Sequence, residues 1–398
     1  MTEEDLYRFA ALDKFTLNKL AVDHKEVWPL QEYRHVYKLY STYIRTLRNM
    51  YTEGIDKKRR EGTQHLCPDG RIHASFMMTG TRGGRLSCRE PNLQQLPNKG
   101  DVKQMFTSRF GARGCMYQAD LSQIELRLMA AACGDPTMIQ AYLDKVDLHT
   151  LTTSRIFKLP YENFSKEYFK WLQDNKREKE AKELELKRRI GKTVNFLTGY
   201  GGGAFGLQTT LANSQVYLPL GECEQIIAAF FESYPSLKEF LKYYKRFIQD
   251  NRVAVSVFGR VRIFEEVAGQ DLEAKSKALR AGCNHIIQST ASDMMLISLI
   301  VIEALMREAG LESILVSTVH DSLLIDAVRD ELPVIHDIVS PVLNNFHEVL
   351  PVYFGGNYDT SWMLVPFAGD CEVGPSYYDT RKIPDKDIDW DKLLAVEA

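Results

Sequence analysis

Two aspartates and one cationic helix are the parts of this sequence whose chemistry stands out. Asp120 closes the apolar run Cys115–Ala119, and Asp321 sits in the tight connection His320-Asp321-Ser322 between the two apolar runs of Ile314–Asp326. If these runs are strands of one sheet, both carboxylates reach its edge. Hard divalent cations prefer oxygen ligands, and Mg2+ takes one or two carboxylates plus substrate phosphates. Two such ions about 3.5–4 Å apart can hold both the attacking and the leaving oxygen of an in-line phosphoryl displacement. A turn aspartate needs no such role, and spacing alone leaves that reading open for both residues.

The cationic stretch is Lys187–Gly203, KRRIGKTVNFLTGYGGG. Arg188, Lys192, Phe196 and Tyr200 recur every four residues, and each step overshoots a helical turn by roughly 40°, so they share one broad face. Two cations followed by two aromatic rings suit a ligand that is polyanionic at one end and a flat base at the other, such as a nucleoside triphosphate. An ordinary amphipathic helix has the same pattern. Gly201–Gly203 predict the helix stop, because glycine accepts a left-handed C-cap.

The elements that must position these residues follow from periodicity. Helical spacing runs through Phe15–Leu20 and Trp28–Leu47,. Tyr51–Gly70 is polar, with the run Lys57–Arg60 and the turn signal Pro68-Asp69-Gly70,. Arg71–Met78 predicts a short strand and Gly80–Pro97 a loop. A helix is expected from about Gln123 to Cys133, opened by Ser122 and Glu125 as a capping box. Phe164–Arg189 predicts one long charged helix running into the cationic stretch. Glu222–Asp250 reads as helix broken at Pro235, Val253–Phe264 as a hairpin, and Ala274–Arg307 as helix,. The Pro-, Tyr- and Asp-rich tail gives no clear element.

The chain has 398 residues, enough for two or three subdomains, and is 44% hydrophobic and 26% charged,. A net charge of -3 gives no basic signature for nucleic-acid binding, so any such site must come from local clustering,. Its 7 cysteines are scattered, which fits a reducing compartment and argues against a disulfide framework or zinc site,. No uninterrupted run of about 18 apolar residues and no signal-peptide pattern is present, so neither a membrane partner nor secretion is expected.

Four segments in order resemble the polymerase module of the A family of DNA polymerases, the bacterial polymerase I type. Gly83-Gly84-Arg85-Leu86-Ser87 through Pro91-Asn92-Leu93-Gln94-Gln95-Leu96-Pro97 resembles the family's TGRLSS…PNLQNIP segment. Asp120-Leu121-Ser122-Gln123-Ile124-Glu125-Leu126-Arg127 resembles motif A, DYSQIELR. Arg188, Lys192, Asn195-Phe196 and Tyr200-Gly201 resemble motif B, RxxxKxxNFxxxYG, and Val319-His320-Asp321 resembles motif C, VHDE. Arg280, Asn284 and Gln288 match a further helix of that family. The likeness spans about Ser41 to Gly374.

The resemblance implies an α+β right-hand fold: a palm with an antiparallel sheet, helical fingers and a short helical thumb. The implied boundaries are thumb 1–64, palm 65–133 and 286–398, and fingers 134–285. It also implies template-directed addition of dNTPs to a primer 3′-OH on DNA, with two Mg2+ ions, which Mn2+ could replace. Asp120 and Asp321, with the Leu121 carbonyl, would hold the metals. Arg188, Lys192 and His149 would hold the triphosphate, with Lys192 also a general acid toward pyrophosphate. Gln123, Glu125, Phe196 and Tyr200 would line the nucleotide site, Glu125 as the gate against a ribose 2′-OH. Arg85, Gln288 and His320 would read minor-groove acceptors at the primer terminus, with Asn92, Gln94, Arg280 and Asn284 as further duplex contacts. Those acceptors are nearly alike for every base pair, which suits checking pair geometry.

Two departures stand out. Ser322 replaces the acid of motif C, and Leu121 replaces the Tyr of motif A, where the contributed group is a backbone carbonyl. No segment resembles a 3′–5′ exonuclease, and the part before Ser41 is short for a thumb. The expectation is a minimal polymerase or the polymerase part of a divided enzyme, with a separate exonuclease or processivity-factor chain as partner, in the cytoplasm of a bacterial or phage-infected cell. A non-catalytic primer-template binding subunit, a polymerase of different template or sugar preference, and a nuclease with the same metal pair remain as rival readings.

Overall fold

The computed structural model describes Leu17 and residues 25–45, 71–97, 102–214, 216–356 and 358–395. Most of the expected Phe15–Leu20 helix, the Lys57–Arg60 run and the Pro68-Asp69-Gly70 turn lie outside the described residues. The chain divides into a helical unit, Met1–Thr42 with Cys133–Lys245, and a sheet unit, Tyr43–Ala132 with Arg246–Ala398. The architecture is α+β.

Among the described residues, all strands fall in the sheet unit. They are β1 (Ser75–Met77), β2 (Ser87–Arg89), β3 (Gly114–Leu121), β4 (Val253–Val255), β5 (Val261–Ile263), β6 (Ile314–Val319), β7 (Ser322–Val328), β8 (Gly369–Gly374) and β9 (Arg381–Lys382). The central sheet has the order β6-β7-β3-β8-β9, with every neighbouring pair antiparallel. Strand alternation sorts β3 onto two faces. Cys115, Tyr117, Ala119 and Leu121 are all buried and pair with Ala327, Ile325 and Leu323 of β7 and Gly369 of β8. This face meets the helix Leu332–Asn344, where the buried Tyr117 hydroxyl lies 2.9 Å from His336 Nδ1. Each fully buried large side chain contributes about 1.5–3 kcal/mol. The opposite face carries Met116, Gln118 and Asp120. Met116 packs with Leu324 and Tyr377 beneath Leu96 and Phe106, leaving Asp120 at the open end.

Gly80–Pro97, expected as loop, contains β2 paired with β1. The helix Leu272–Glu308 runs 37 residues from its Asp271 N-cap. By length and composition it could cross a membrane, although polar residues interrupt its apolar run, but 67% of its apolar window is buried, as in a core helix.

In the helical unit the expected single helix over Phe164–Arg189 is broken. Helix Lys166–Asp174 ends in a turn with Lys176 at φ +55°, and a second helix spans Glu178–Gly199. The reversal lets Phe164, Leu172, Ala181 and Leu184 form a small core that one continuous helix would splay apart. Two more helices, Leu220–Ser233 and Pro235–Asn251, meet at the expected proline break.

The helix Glu178–Gly199 ends in a Schellman motif. Gly201 takes φ +78°, its N–H donates to Thr198 O at 2.8 Å, and the Gly202 N–H donates to Leu197 O at 2.9 Å,. Upstream, this helix lies against the helix Leu148–Phe157, with Gly191 facing Thr153. A Cβ at 191 would sit 2.1 Å from Thr153 Oγ1 and 3.2 Å from its Cα. Gly191→Val is therefore expected to destabilise the protein by about 1–3 kcal/mol, as overpacking does, seen as a lower urea midpoint. An unchanged midpoint would show that the two helices are not this close.

Candidate active site

The end of β3 and the β6–β7 turn bring the two aspartates together. Val319 pairs with Ser322, leaving His320 and Asp321 as a two-residue connection, and His320 takes φ +56°. A left-handed histidine is uncommon and marks a tightly constrained turn. The Leu121 N–H donates to Asp321 O at 2.9 Å, which locks the turn against the strand that carries Asp120. In register, Asp120 stands between Ser322 on β7 and Asp370 on β8.

Asp120 is exposed at its strand end. Even so, surrounding protein strips part of its hydration, and the charges of Asp321, Asp370 and Glu372 add repulsion, so its carboxyl is pushed up to about 6,. Arg85 compensates. Its Nη2 donates to Asp321 Oδ1 at 3.0 Å and to Glu125 Oε1 at 2.8 Å. Burial alone would lower the Arg85 pKa, but Asp321 and then Glu125 hold it above its usual value.

The helix carrying Glu125 spans Ile124–Cys133, and Gln123 before it takes φ +51°. The expected capping box is thus out of register, because Ser122 lies one residue too early to be the N-cap. Among the described residues no group of three or more His, Cys, Asp and Glu is arranged to hold a metal ion. The two carboxylates suit ions that complete their shells with substrate oxygens and water instead of a closed protein cage.

In the helical unit, Asp147 caps the helix Leu148–Phe157 by accepting from the Thr150 N–H at 3.2 Å, and it also accepts from Arg188 Nη2 at 3.1 Å. Lys192 is exposed one turn on. His149 is buried and packs on Phe196 at 5.4 Å between ring centres. A polar chain fixes its state. Thr152 Oγ1 donates to Asn195 Oδ1 at 3.0 Å and so accepts from the Tyr234 hydroxyl at 2.7 Å. Asn195 then presents its N–H to His149 Nδ1 at 3.0 Å, which leaves the imidazole proton on Nε2,. Desolvation, against the pull of Asp147 and with the push of Lys192 and Arg188, brings His149 down to about 4. It is neutral at pH 7, a hydrogen-bond donor and not a cation.

A sequence profile described as DNA polymerase family A matches residues 5–379. The chain belongs to DNA polymerase family A. It is 30% identical over 371 residues to a DNA polymerase of Bacillus phage SP01, covering 90% of this chain and 36% of that protein. It is 29% identical over 372 residues to DNA polymerase I of Caldicellulosiruptor bescii, covering 93% of this chain and 38% of that one. The chain thus spans little more than a third of these relatives. Among solved structures, the polymerase domain of Pol1 from M. smegmatis, in complex with DNA primer-template and dNTP, superposes with a TM-score of 0.73 at 25% identity. That likeness covers 92% of this chain and 56% of that one. The α+β fold is therefore that of a family A polymerase domain.

The other family-matching positions group as follows. Arg85, Gln94 and His320 line one crevice, walled by Ser292 and Met295 of the long helix. Gln94 Nε2 donates to Thr318 O on β6 at 2.9 Å, and Asn92 caps the short turn before it, accepting from the Gln94 N–H at 3.1 Å. Arg280, Asn284 and Gln288 lie four apart on the helix Leu272–Glu308. Arg280 Nη1 donates to Ser276 Oγ at 2.7 Å, and Asn284 Oδ1 is buried without a hydrogen-bond partner among the described residues. Tyr200 is the C-cap of the Arg188 helix.

Sequence reading missed Asp370 and Glu372. Their signal was present in Gly369-Asp370-Cys371-Glu372-Val373, whose alternation puts both acids on one face,.

Asp120 gives a pH signature. Its folded pKa of about 6 lies above the 3.8 of the free group, so between these values the folded state binds more protons than the unfolded state. Stability from this group is therefore lost as pH rises from about 4 to about 6. Without divalent ions, Asp120→Asn should raise the melting temperature at pH 7.5 and not at pH 3.5. Equal effects at both pH values would mean that lost hydration and like charges do not hold this carboxyl above its free value.

Proposed function

We propose that the chain is a template-directed DNA polymerase that adds dNTPs to a primer 3′-OH with release of pyrophosphate. The observation that carries this reading is the convergence of Asp120 and Asp321 at one end of the sheet in a family A chain. The M. smegmatis neighbour, bound to primer-template and dNTP, supports DNA and nucleotide as the partners here. On this reading the sheet serves as the palm, the helices within 134–285 as the fingers and residues 1–64 as a reduced thumb.

Asp120 and Asp321, with the Leu121 carbonyl, would hold two Mg2+ ions, or Mn2+ in their place. Such ions, once bound, lower the charge cost of in-line displacement at the α-phosphate. Asp120 is ionised above about pH 6 and a nearby cation would favour that form further,. Arg85 bridges Glu125 and Asp321, which supports Glu125 as a fixed wall against a ribose 2′-OH and Arg85 as the link to the primer terminus. Arg188 and Lys192 supply positive charge for the triphosphate, and neutral His149 offers its Nε2–H. Phe196 is braced by His149, which suits a ring that stacks on the nucleotide. Lys192, exposed on this helix, is the candidate for protonating the leaving pyrophosphate. Catalysis would thus be mostly positioning and electrostatics. The relatives come from bacteria and a bacteriophage, which supports the cytoplasm as its place.

Primer extension on a DNA template tests the reading. With Mg2+ and single dNTPs the chain should add the template-matched nucleotide. A bound metal ion supplies several kcal/mol of transition-state stabilisation, at 1.36 kcal/mol per tenfold in rate, so Asp321→Ala, which removes one of its ligands, should lower incorporation by about a hundredfold or more while primer-template binding persists. Binding without incorporation by the parent chain would favour a non-catalytic subunit.

A further inference from the structure

Three side chains form a row across the open end of the sheet. Asp120 is the register partner of Ser322 on β7 and of Asp370 on β8, so all three lie on one face,. Directly paired positions bring Cβ atoms to about 4.5–5.5 Å. Family resemblance expects an acid at Ser322. Ser322 is buried, and its hydroxyl donates to Val319 O at 2.9 Å. Its side chain is spent on the hairpin and offers no charge to Asp120. Asp370, on the other flank of Asp120, does carry one.

Asp370 is also held in place. Lys382 of β9 bonds its Oδ1 from the side away from β3. In the next row Gln118 pairs with Glu372, whose Oε2 accepts from Thr380 Oγ1 at 2.6 Å. Glu372 is thus engaged from β9's side and stands one pleat farther from the strand end. Of the two acids on β8, Asp370 is the one level with Asp120.

We infer that Asp370 takes over the part of the missing motif C acid, as a positioning residue that strengthens cation binding at Asp120 from the opposite flank. The inference rests on the reading of Asp120 and Asp321 as metal ligands. Asp370 does not need to touch the ion. Its charge deepens the local negative potential, and Lys382 fixes its orientation, as outer partners do around ligand carboxylates.

The test is Mn2+ affinity of the full chain, without DNA or nucleotide, measured by calorimetry or by the paramagnetic signal of free Mn2+. Loss of an outer carboxylate typically costs about 10- to 100-fold in metal affinity, and Asp370→Asn should fall in that range. Asp370→Glu should retain binding near the parent level. Ser322→Glu added to Asp370→Asn should restore much of the loss by returning the acid to the other flank. Asp370→Asn with Lys382→Gln should stay weak, which separates a missing carboxylate from an uncovered lysine. Parent-like Mn2+ binding by Asp370→Asn would overturn the inference, as would full restoration by Lys382→Gln. Asp120→Asn is the control: if it binds Mn2+ like the parent, the metal site itself is misplaced, an outcome distinct from failure at Asp370 alone. A circular dichroism melt of each variant confirms folding, and the Asp370→Glu comparison stands even if Ser322→Glu does not fold.

Discussion

Like charges held close together are the constraint on which the sheet unit is built. Asp120 and Asp321 would separate if they were free to do so. The β3–β7 register, the two-residue turn and the Leu121 N–H bond to Asp321 O keep them together. Lost hydration and then this repulsion push the Asp120 carboxyl up, while the Arg85 guanidinium pairs with Asp321. Such an arrangement lowers the stability of the empty protein and favours whatever brings positive charge. Strain and repulsion of this kind gather at functional sites, where a ligand relieves them.

The helical unit solves a different problem, which is to hold a neutral histidine and an aromatic ring beside two cations. The chain from Tyr234 through Thr152 and Asn195 fixes the His149 tautomer with fully paired buried groups. Unpaired, any of these would cost about 1–3 kcal/mol. Gly191 lets the two helices approach closely enough for that chain to form. Position, packing and proton placement are thus set by the same few residues.

Much of this was legible in the sequence. Long periodic segments such as Ala274–Arg307, and the β6–β7 hairpin with its acidic turn, followed from apolar spacing. The Gly201 stop followed from glycine's left-handed freedom. What escaped depended on tertiary contacts. The break at Lys176 is forced by a small core joining Phe164 to Leu184, which no local pattern announces. Glu125 looked like a capping residue because its spacing from Ser122 fits, but Gln123 adopts a left-handed turn and Arg85 engages the carboxylate. β8 was missed because glycine and two acids mask its alternation, so Asp370 and Glu372 emerged only from their pairing with β3.

The most direct test of the paired-aspartate account is to count the Mn2+ ions bound in a complex with primer-template and an unreactive dNTP analogue, by electron paramagnetic resonance titration. The account predicts two ions per chain, with at least one lost in Asp120→Asn and in Asp321→Asn. Two ions retained in both variants would contradict it and move the metal site elsewhere.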